Sequence, residues 1–360
     1  TYMLSAPALG WLSDRFSRWV IIGCAVILWS FATAASGLAL SFGMLFATRL
    51  LVGIGEGGYG PAAPHILEAL FSLETRGRIL AVFCAAIPVG SALGYVLGGL
   101  VLTHFHFVAE GERWRYAFYF AAIPGLLLGA YALFQRDPRT TASGIRPERQ
   151  KAKREDYQTL ARTPSYLYNC AAQTAMTFAL GGIGFWVAAY LKFRGLPPAS
   201  TQNFGAIIAG TGLVSTLVGG WLGDRLRARV PGSYFLVSGC GMVLACPFFV
   251  AMLYTPFPRA WWFMAASVFF MFLNTGPSNT ALANVALPKV RATAFALNIL
   301  VIHALGDVLA FPSIGYVAGH TNWRTAFLFV AGVMLLSGVI WLVGMKYLAR
   351  DTAAVEAANA

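Results

Sequence analysis

Two charged residues stand seven positions apart inside an apolar stretch, which reads Arg49-Leu-Leu-Val-Gly53-Ile-Gly-Glu56. At 3.6 residues per turn, Arg49, Gly53 and Glu56 share one face of a helix, with a rise of about 10 Å between the two charges. A charge inside a membrane is costly and is found mainly at water-filled cavities and at substrate or ion paths. The spacing therefore predicts a polar notch with a cation at one end and a titratable acid at the other.

The two charges of this notch have different predicted roles. Burial and a neighbouring cation act in opposite directions on the proton affinity of a carboxyl group, so a substrate that competes for Arg49 would change the protonation of Glu56. We therefore predict that Glu56, with Arg49, couples transport to protons; the alternative is a structural ion pair between them. Arg49 is predicted to bind a phosphate or carboxylate, which guanidinium matches bidentately, or else to pair with a residue on a helix that precedes Thr1.

Other candidate substrate contacts are polar or aromatic side chains within apolar spans. His303 and Asp307 lie four residues apart and share a helix face, where they form a second titratable pair or a structural contact. Asparagines near Gly276-Pro277 are predicted either to line a cavity or to form hydrogen bonds between helices. The aromatic residues are predicted either to line a channel for an acyl chain or to pack in the core. The predicted substrate-binding residues are Arg49, Tyr59, Phe178, Trp186, Asn274, Asn279, His303 and Asp307.

The composition is that of a polytopic helical membrane protein. Hydrophobic residues make up 58% of the chain and charged residues 11%, with a mean hydropathy of +0.65, whereas soluble domains carry about 25% charged residues. Long continuous apolar runs exclude a porin-like barrel. The net charge of +12 is assigned to loops that face anionic lipid, and nucleic acid is not expected as a partner.

The sequence gives no support for an enzyme or for a metal site. It contains no nucleophile–base pair, no metal-ligand spacing and no phosphate-binding loop. Its five cysteines all lie in apolar spans, where buried free thiols are the usual state. We therefore expect no cofactor other than a proton gradient.

Internal repeats indicate two homologous halves. The sequence Gly10–Arg15 recurs as Gly220–Arg225 at an offset of 210 residues, and Trp114–Phe120 recurs as Trp323–Phe329 at an offset of 209. Two matches at nearly one offset indicate a duplication. Because the second copy of the first motif follows the second span of its half, we expect one whole helix to be missing before Thr1.

The expected architecture is all-helical, with two pseudo-symmetric halves of six helices each and the first helix absent. The predicted segments are an N-terminal half with helices 2–6 (1–135), a central loop (136–163), a C-terminal half with helices 7–12 (164–348) and a tail (349–360). If the central loop is cytoplasmic, 19 of the 26 Lys and Arg residues lie on that side, as the positive-inside rule requires. We expect a monomer in a bacterial inner membrane, with both termini cytoplasmic.

Two six-helix halves with Gly-x-Leu-x-Asp-Arg in the second-to-third loop of each half resemble the major facilitator superfamily. The resemblance implies a cytoplasmic gate, in which glycine allows close helix approach, aspartate caps the next helix and arginines bridge to acids on neighbouring helices. The predicted gate residues are Asp14, Arg15, Arg18, Glu68, Asp224 and Arg225.

Four segments resemble the spinster family more narrowly, namely Arg49–Pro64, Arg76–Phe83, Ile87–Gly99 and Leu287–Pro312. Eukaryotic members resemble exporters of sphingosine-1-phosphate and lysophospholipids, and the compact loops are typical of a bacterial member. The resemblance implies a proton-coupled secondary transporter that moves an amphipathic lipid by rocker-switch alternating access. A drug/proton antiporter and an organic-anion symporter of the same superfamily are the alternatives.

Overall fold

The computed structural model describes residues 1–70, 73–135, 154–287 and 290–359, and all regular structure in these ranges is helical. The chain forms two compact units. Unit 1 comprises Thr1–Arg146 and Pro198–Gly205, and unit 2 comprises Pro147–Pro197 and Ala206–Ala360.

Unit 1 contains five long helices. They are α1 (Tyr2–Arg15), α2 (Arg18–Gly37), α3 (Phe42–Leu70), α4 (Leu73–His104) and α5 (Arg113–Leu133). With 29 residues in α3 and 32 in α4, each of these two helices is longer than the roughly 20 residues needed to cross a bilayer. The core of the unit includes Ile22 and Val26 of α2 together with Ile66 of α3.

Glycines on two faces of α3 let the neighbouring helices approach closely. A Cβ atom at Gly53 would overlap the Thr1 hydroxyl, and one at Gly57 would overlap the Ser5 hydroxyl of α1. On another face, Gly55 leaves room for α2. Small residues at such positions are typical of membrane helix contacts. The Gly53 face is therefore filled by α1, which corrects the prediction of an open notch at this residue.

Ten further α-helices lie within the described ranges, nine of them wholly in unit 2. They are α6 (Arg154–Arg162), α7 (Pro164–Phe193), α8 (Ser200–Ile207), α9 (Leu213–Arg227), α10 (Ser233–Tyr254), α11 (Ala260–Phe272), α12 (Thr275–Val285), α13 (Arg291–Ile302), α14 (Val308–His320) and α15 (Trp323–Asn359). Helix α6 occupies the end of the predicted loop, and α15 continues into the predicted tail as far as Asn359. Six of the eight residues of α8, 200–205, belong to unit 1.

Three of the helices predicted for the C-terminal half are interrupted. A π-helical turn, Ile208–Gly212, joins α8 to α9, and a second, His303–Asp307, joins α13 to α14. Helix α11 ends before Asn274, whose side-chain amide donates to the Met271 carbonyl oxygen. Such π turns are frequent at functional sites.

Seven helical segments among the described residues are long and apolar enough to cross a membrane. They are Arg18–Gly37, Glu110–Leu133, Pro164–Phe193, Ser200–Arg227, Ser233–Tyr254, Thr293–His320 and Trp323–Ala357. These segments agree with the multi-pass membrane protein that the composition predicts.

Arginine side chains satisfy carbonyl groups at two helix ends, where the last backbone acceptors have no partner within the helix. In unit 1, Arg115 Nη1 donates to the Gly37 carbonyl at the end of α2 at 2.9 Å. In unit 2, Arg194 donates to the carbonyls of Leu253 at 3.2 Å and Thr255 at 2.6 Å at the end of α10. Each arginine thereby fixes the end of a helix in its own unit.

Candidate functional site

The Arg49 guanidinium contacts α2 and α5 of unit 1 through neutral groups. Its Nε donates to Ser36 Oγ at 3.1 Å, and its Nη2 donates to the same oxygen. The guanidinium carbon lies 4.9 Å from the centroid of the Phe118 ring, which is within cation–π range. The ion pairs formed within the described ranges do not include Arg49. Its charge is therefore not neutralised by a carboxylate there.

Glu56 lies two turns further along α3 and is exposed at the surface of unit 1. It forms no ion pair with any residue that the structure describes, although its charge and that of Arg49 interact electrostatically. The structure thus places the two predicted coupling residues within electrostatic reach of each other but not in contact. Tyr59, one turn beyond Glu56, is 37% exposed and packs edge-on against Trp29 of α2 at 5.9 Å between ring centroids.

The predicted His303–Asp307 contact is present in the π turn between α13 and α14. His303 Nδ1 lies 2.7 Å from Asp307 Oδ2, and the two side chains are 38% and 22% exposed. A Cβ atom at Gly181 would overlap the Asp307 carboxylate, so this glycine lets the carboxylate lie against the backbone of α7. Both predicted roles, a titratable pair and a structural contact, fit this geometry.

Two of the predicted substrate contacts are core residues of unit 2. Asn274 is 1% exposed, and its amide is bonded to the backbone of α11. Phe178 is 9% exposed and packs edge-on against Phe329 of α15 at 5.7 Å. Both side chains are buried within unit 2, and their contact with substrate stays a prediction.

The other two predicted contacts in unit 2 remain partly accessible. Trp186 Nε1 donates to the Phe311 carbonyl of α14 at 3.0 Å, and its ring lies 5.1 Å from that of Trp323. Asn279 is exposed and donates to the Thr275 carbonyl of its own helix at 2.8 Å. Trp186 therefore serves the packing of α7 against α14, and Asn279 makes no contact with another helix through that bond.

Sequence reasoning missed a buried amide network in unit 2. Asn169 Nδ2 donates to the Ser278 carbonyl at 3.1 Å, Gln173 Nε2 donates to Ser278 Oγ at 2.9 Å, and Asn298 Nδ2 donates to Gln173 Oε1 at 2.6 Å. Trp341 Nε1 donates to Asn169 Oδ1 at 2.9 Å. The network joins α7, α12, α13 and α15. Amides four residues apart in an apolar span were the signal in the sequence.

The predicted cytoplasmic gate is described only in part. The Tyr234 hydroxyl donates to Asp224 Oδ1 at 2.8 Å, and the Arg225 guanidinium lies 5.3 Å from the centroid of the Trp221 ring. Arg18 begins α2. Three side chains lie outside the described part of the structure, those of Asp14, Arg15 and Glu68. The gate therefore stays a prediction.

No group of three or more His, Cys, Asp and Glu side chains among the described residues is arranged to hold a metal ion. The chemistry that the described polar groups offer is hydrogen bonding, anion binding at Arg49 and proton binding at carboxylates.

The sequence has clear relatives among known transporters. The Major Facilitator Superfamily profile matches residues 1–311. The chain is 31% identical over 390 aligned residues to protein spinster homolog 3 of Danio rerio. This alignment covers 99% of this chain and 77% of that protein. It is 32% identical over 393 aligned residues to the sphingosine-1-phosphate transporter SPNS2 of Mus musculus. This alignment covers 99% of this chain and 70% of that protein.

Solved structures confirm the predicted fold. A bacterial homolog of the human lysosomal transporter spinster, in an inward-facing and unoccupied conformation, superposes with a TM-score of 0.76 at 20% identity over 98% of this chain and 86% of that chain. A D-xylose-proton symporter superposes with a TM-score of 0.72 at 17% identity over 94% of this chain and 84% of that chain. These relatives are transporters and not enzymes, as predicted. The chain is therefore a multi-pass membrane transporter that belongs to the spinster family of the major facilitator superfamily.

Proposed function

We propose that the chain is a proton-coupled secondary transporter of an amphipathic anion, such as a lysophospholipid or a phosphorylated sphingoid base. The relative SPNS2 is a transporter of sphingosine-1-phosphate by name, and this similarity supports a lipid-like substrate with an anionic headgroup. The proposed partners are the substrate, protons and membrane lipids, with no cofactor.

The observation that carries this proposal is the state of Arg49. Its guanidinium is held by a hydroxyl and an aromatic ring, and no described carboxylate neutralises it. An uncompensated cation in a membrane protein is costly unless water or an anion completes its surroundings. A phosphate or carboxylate headgroup would supply that anion with two parallel hydrogen bonds.

Coupling would follow from the electrostatic interaction between Arg49 and Glu56. An anion bound at Arg49 changes the potential at Glu56 and hence its affinity for a proton. By linkage, proton binding changes the affinity for substrate by the same factor. The proton gradient would then drive the two halves to expose the substrate alternately on each side of the membrane by a rocker-switch motion.

Flux into proteoliposomes that contain the full-length protein tests the proposal. We expect an imposed pH gradient to drive uptake of radiolabelled lysophosphatidate, and Glu56→Gln to remove the part that depends on the gradient. Glu110→Gln is the matched control, because Glu110 is exposed in the short helical turn that precedes α5. Unchanged pH dependence in Glu56→Gln would contradict the coupling role. Extrusion of a cationic dye in place of lysophosphatidate would favour a drug/proton antiporter.

We also propose that both termini and the central loop face the cytoplasm of a bacterial inner membrane and that the protein works as a monomer. The distribution of Lys and Arg supports this orientation. Ala353 on the C-terminal part of α15 is exposed, and Ala353→Cys should react with a membrane-impermeant maleimide only after the cytoplasmic side is opened. Labelling of intact cells from outside would contradict the orientation.

A further inference from the structure

A chain of hydroxyl groups lies behind Arg49 in unit 1. Ser36 is 0% exposed and Thr48 is 6% exposed, yet both belong to helices that reach the surface. Ser36 Oγ lies 2.8 Å from Thr48 Oγ1 and 2.9 Å from the Ala32 carbonyl oxygen. Thr48 Oγ1 in turn lies 2.8 Å from the Leu45 carbonyl oxygen. The chain therefore links the guanidinium to the backbones of α2 and α3.

The direction of these hydrogen bonds follows from the groups themselves. Guanidinium can only donate, so Ser36 Oγ must accept from Arg49 with its lone pairs. The single Ser36 proton is then directed away from Arg49, to the Ala32 carbonyl or to Thr48 Oγ1. When Thr48 accepts that proton, its own proton goes to the Leu45 carbonyl. Every hydroxyl proton in the chain has an acceptor, and linked hydrogen bonds of this kind strengthen one another.

The same contacts determine which edge of the guanidinium remains available to bind a ligand. Nε and Nη2 form the side edge, and both donate to Ser36. Phe118 covers one face of the group. Nη1 forms no hydrogen bond with the described residues. The end edge, formed by Nη1 and the second hydrogen of Nη2, is therefore available for a bidentate bond with an oxyanion.

We propose that Ser36 and Thr48 are positioning residues, which hold Arg49 so that its end edge receives the phosphate or carboxylate group of the substrate. This inference rests on the proposed function and adds to it the direction from which the anion approaches. An arginine side chain has many rotamers, and fixing it before binding raises affinity because less freedom is lost when the anion arrives. Loss of the Ser36 hydroxyl would free the guanidinium to adopt other rotamers.

A purely structural role for Ser36 would affect all ligands alike, whereas a positioning role affects only anions. The test is the affinity of the full-length protein, in lipid nanodiscs, for lysophosphatidate and for the monoacylglycerol with the same acyl chain. Because a hydrogen bond to a charged group is involved, we expect Ser36→Ala to weaken lysophosphatidate binding about 10-fold and to leave monoacylglycerol binding unchanged. Thr48→Val, which removes the hydroxyl at constant shape, should weaken lysophosphatidate binding about 3-fold, and Thr48→Ser should restore it.

Ser30→Ala is the matched control in the same helix. Ser30 is 1% exposed, and its hydroxyl has no hydrogen-bond partner among the described residues. Its removal should change binding of neither ligand. If Ser36→Ala does not fold, the isosteric Thr48→Val and its Thr48→Ser counterpart decide the question alone.

The outcomes separate this inference from the proposed function. Equal weakening of both ligands by Ser36→Ala, or failure of Thr48→Ser to restore binding, would overturn the positioning role. If Arg49→Ala removes the preference for lysophosphatidate while Ser36→Ala and Thr48→Val keep it, the positioning role is wrong and the anion anchor stands. If Arg49→Ala keeps the preference, the anion anchor itself is wrong.

Discussion

The two units share repeated sequence motifs but differ in the exposure and the bonding of their polar side chains. In unit 1, Arg49 and Glu56 are exposed on α3 and form no ion pair with described residues. In unit 2, three amide side chains are buried: Asn169 is 0% exposed, Gln173 is 4% exposed and Asn298 is 2% exposed. They form hydrogen bonds mainly with other groups of the protein. Exposed charge in a membrane protein suits a site that awaits a ligand, whereas bonded amides between helices suit packing.

The repeat offset of 210 residues identifies the positions of unit 2 that correspond to Arg49 and Ser36 of unit 1. A position 210 residues beyond Arg49 is occupied by Arg259, which is exposed and precedes α11. The position 210 residues beyond Ser36 is Cys246, whose thiol lies 3.5 Å from the Ala331 carbonyl. Unit 2 therefore has a cation at the related position but not within a helix, and a thiol where unit 1 has the hydroxyl that holds Arg49. The charge chemistry of α3 is confined to unit 1.

The largest effect that this comparison predicts concerns the acids of the two units. We expect Glu56→Gln to abolish uptake driven by a pH gradient, because no other acid on α3 lies beside Arg49. Asp307→Asn in unit 2 should leave a measurable gradient-driven component, because Asp307 is bonded to His303 and lies against α7. Parallel flux measurements on the two variants check this. Complete loss in both would show that the charge chemistry is shared between the units.

A smaller effect is expected on stability when the amide network of unit 2 is broken. Gln173→Leu leaves Ser278 Oγ and the Asn298 amide without the partners that they now have, at a cost of about 1–3 kcal/mol in the free energy of unfolding. Affinity for lysophosphatidate should not change, the reverse of the result expected for Arg49→Ala. Denaturation in mixed detergent micelles measures the first quantity and ligand titration the second.

Asn279→Ala serves as the control for the network, because Asn279 is an exposed amide bonded only within its own helix. It should change the free energy of unfolding by less than about 0.5 kcal/mol. If Gln173→Leu instead removed substrate binding at unchanged stability, the amide network would be part of the binding site and the comparison of the two units would fail.

The general fold was predictable because it depends on patterns that are local in sequence. Repeated motifs and long apolar spans predicted the two halves, and the helix predicted to carry Arg49 and Glu56 is α3 at Phe42–Leu70. The two π turns were not predictable, because hydropathy is the same whether backbone bonds follow α or π spacing, as in His303–Asp307. Helix α6 was missed because its nine residues are polar on average and follow a charged run.

The candidate site was predictable in its charges but not in its contacts. Arg49 and Glu56 are recognisable because charge is rare in apolar spans. A glycine such as Gly53, however, has the same pattern whether it opens a notch or admits another helix, and only the position of α1 decides between them. The bond between Asn169 and Trp341 joins residues 172 positions apart, which no local pattern reveals.

The last prediction compares the repeated Trp-Arg motif at its two positions. Arg115 donates to the carbonyls at the end of α2, whereas its repeat counterpart Arg324 lies 5.2 Å over the Tyr254 ring, and Arg194 supplies the donors at the end of α10. Arg115→Ala should therefore lower the free energy of unfolding by about 2 kcal/mol and Arg324→Ala by about 0.5 kcal/mol. Mixed-micelle denaturation of both variants measures the difference. Equal losses would mean that the arginine of the motif contributes the same stability in both units. The need for a hydrogen-bond donor at the end of a helix would then not explain why Arg194 bonds to α10.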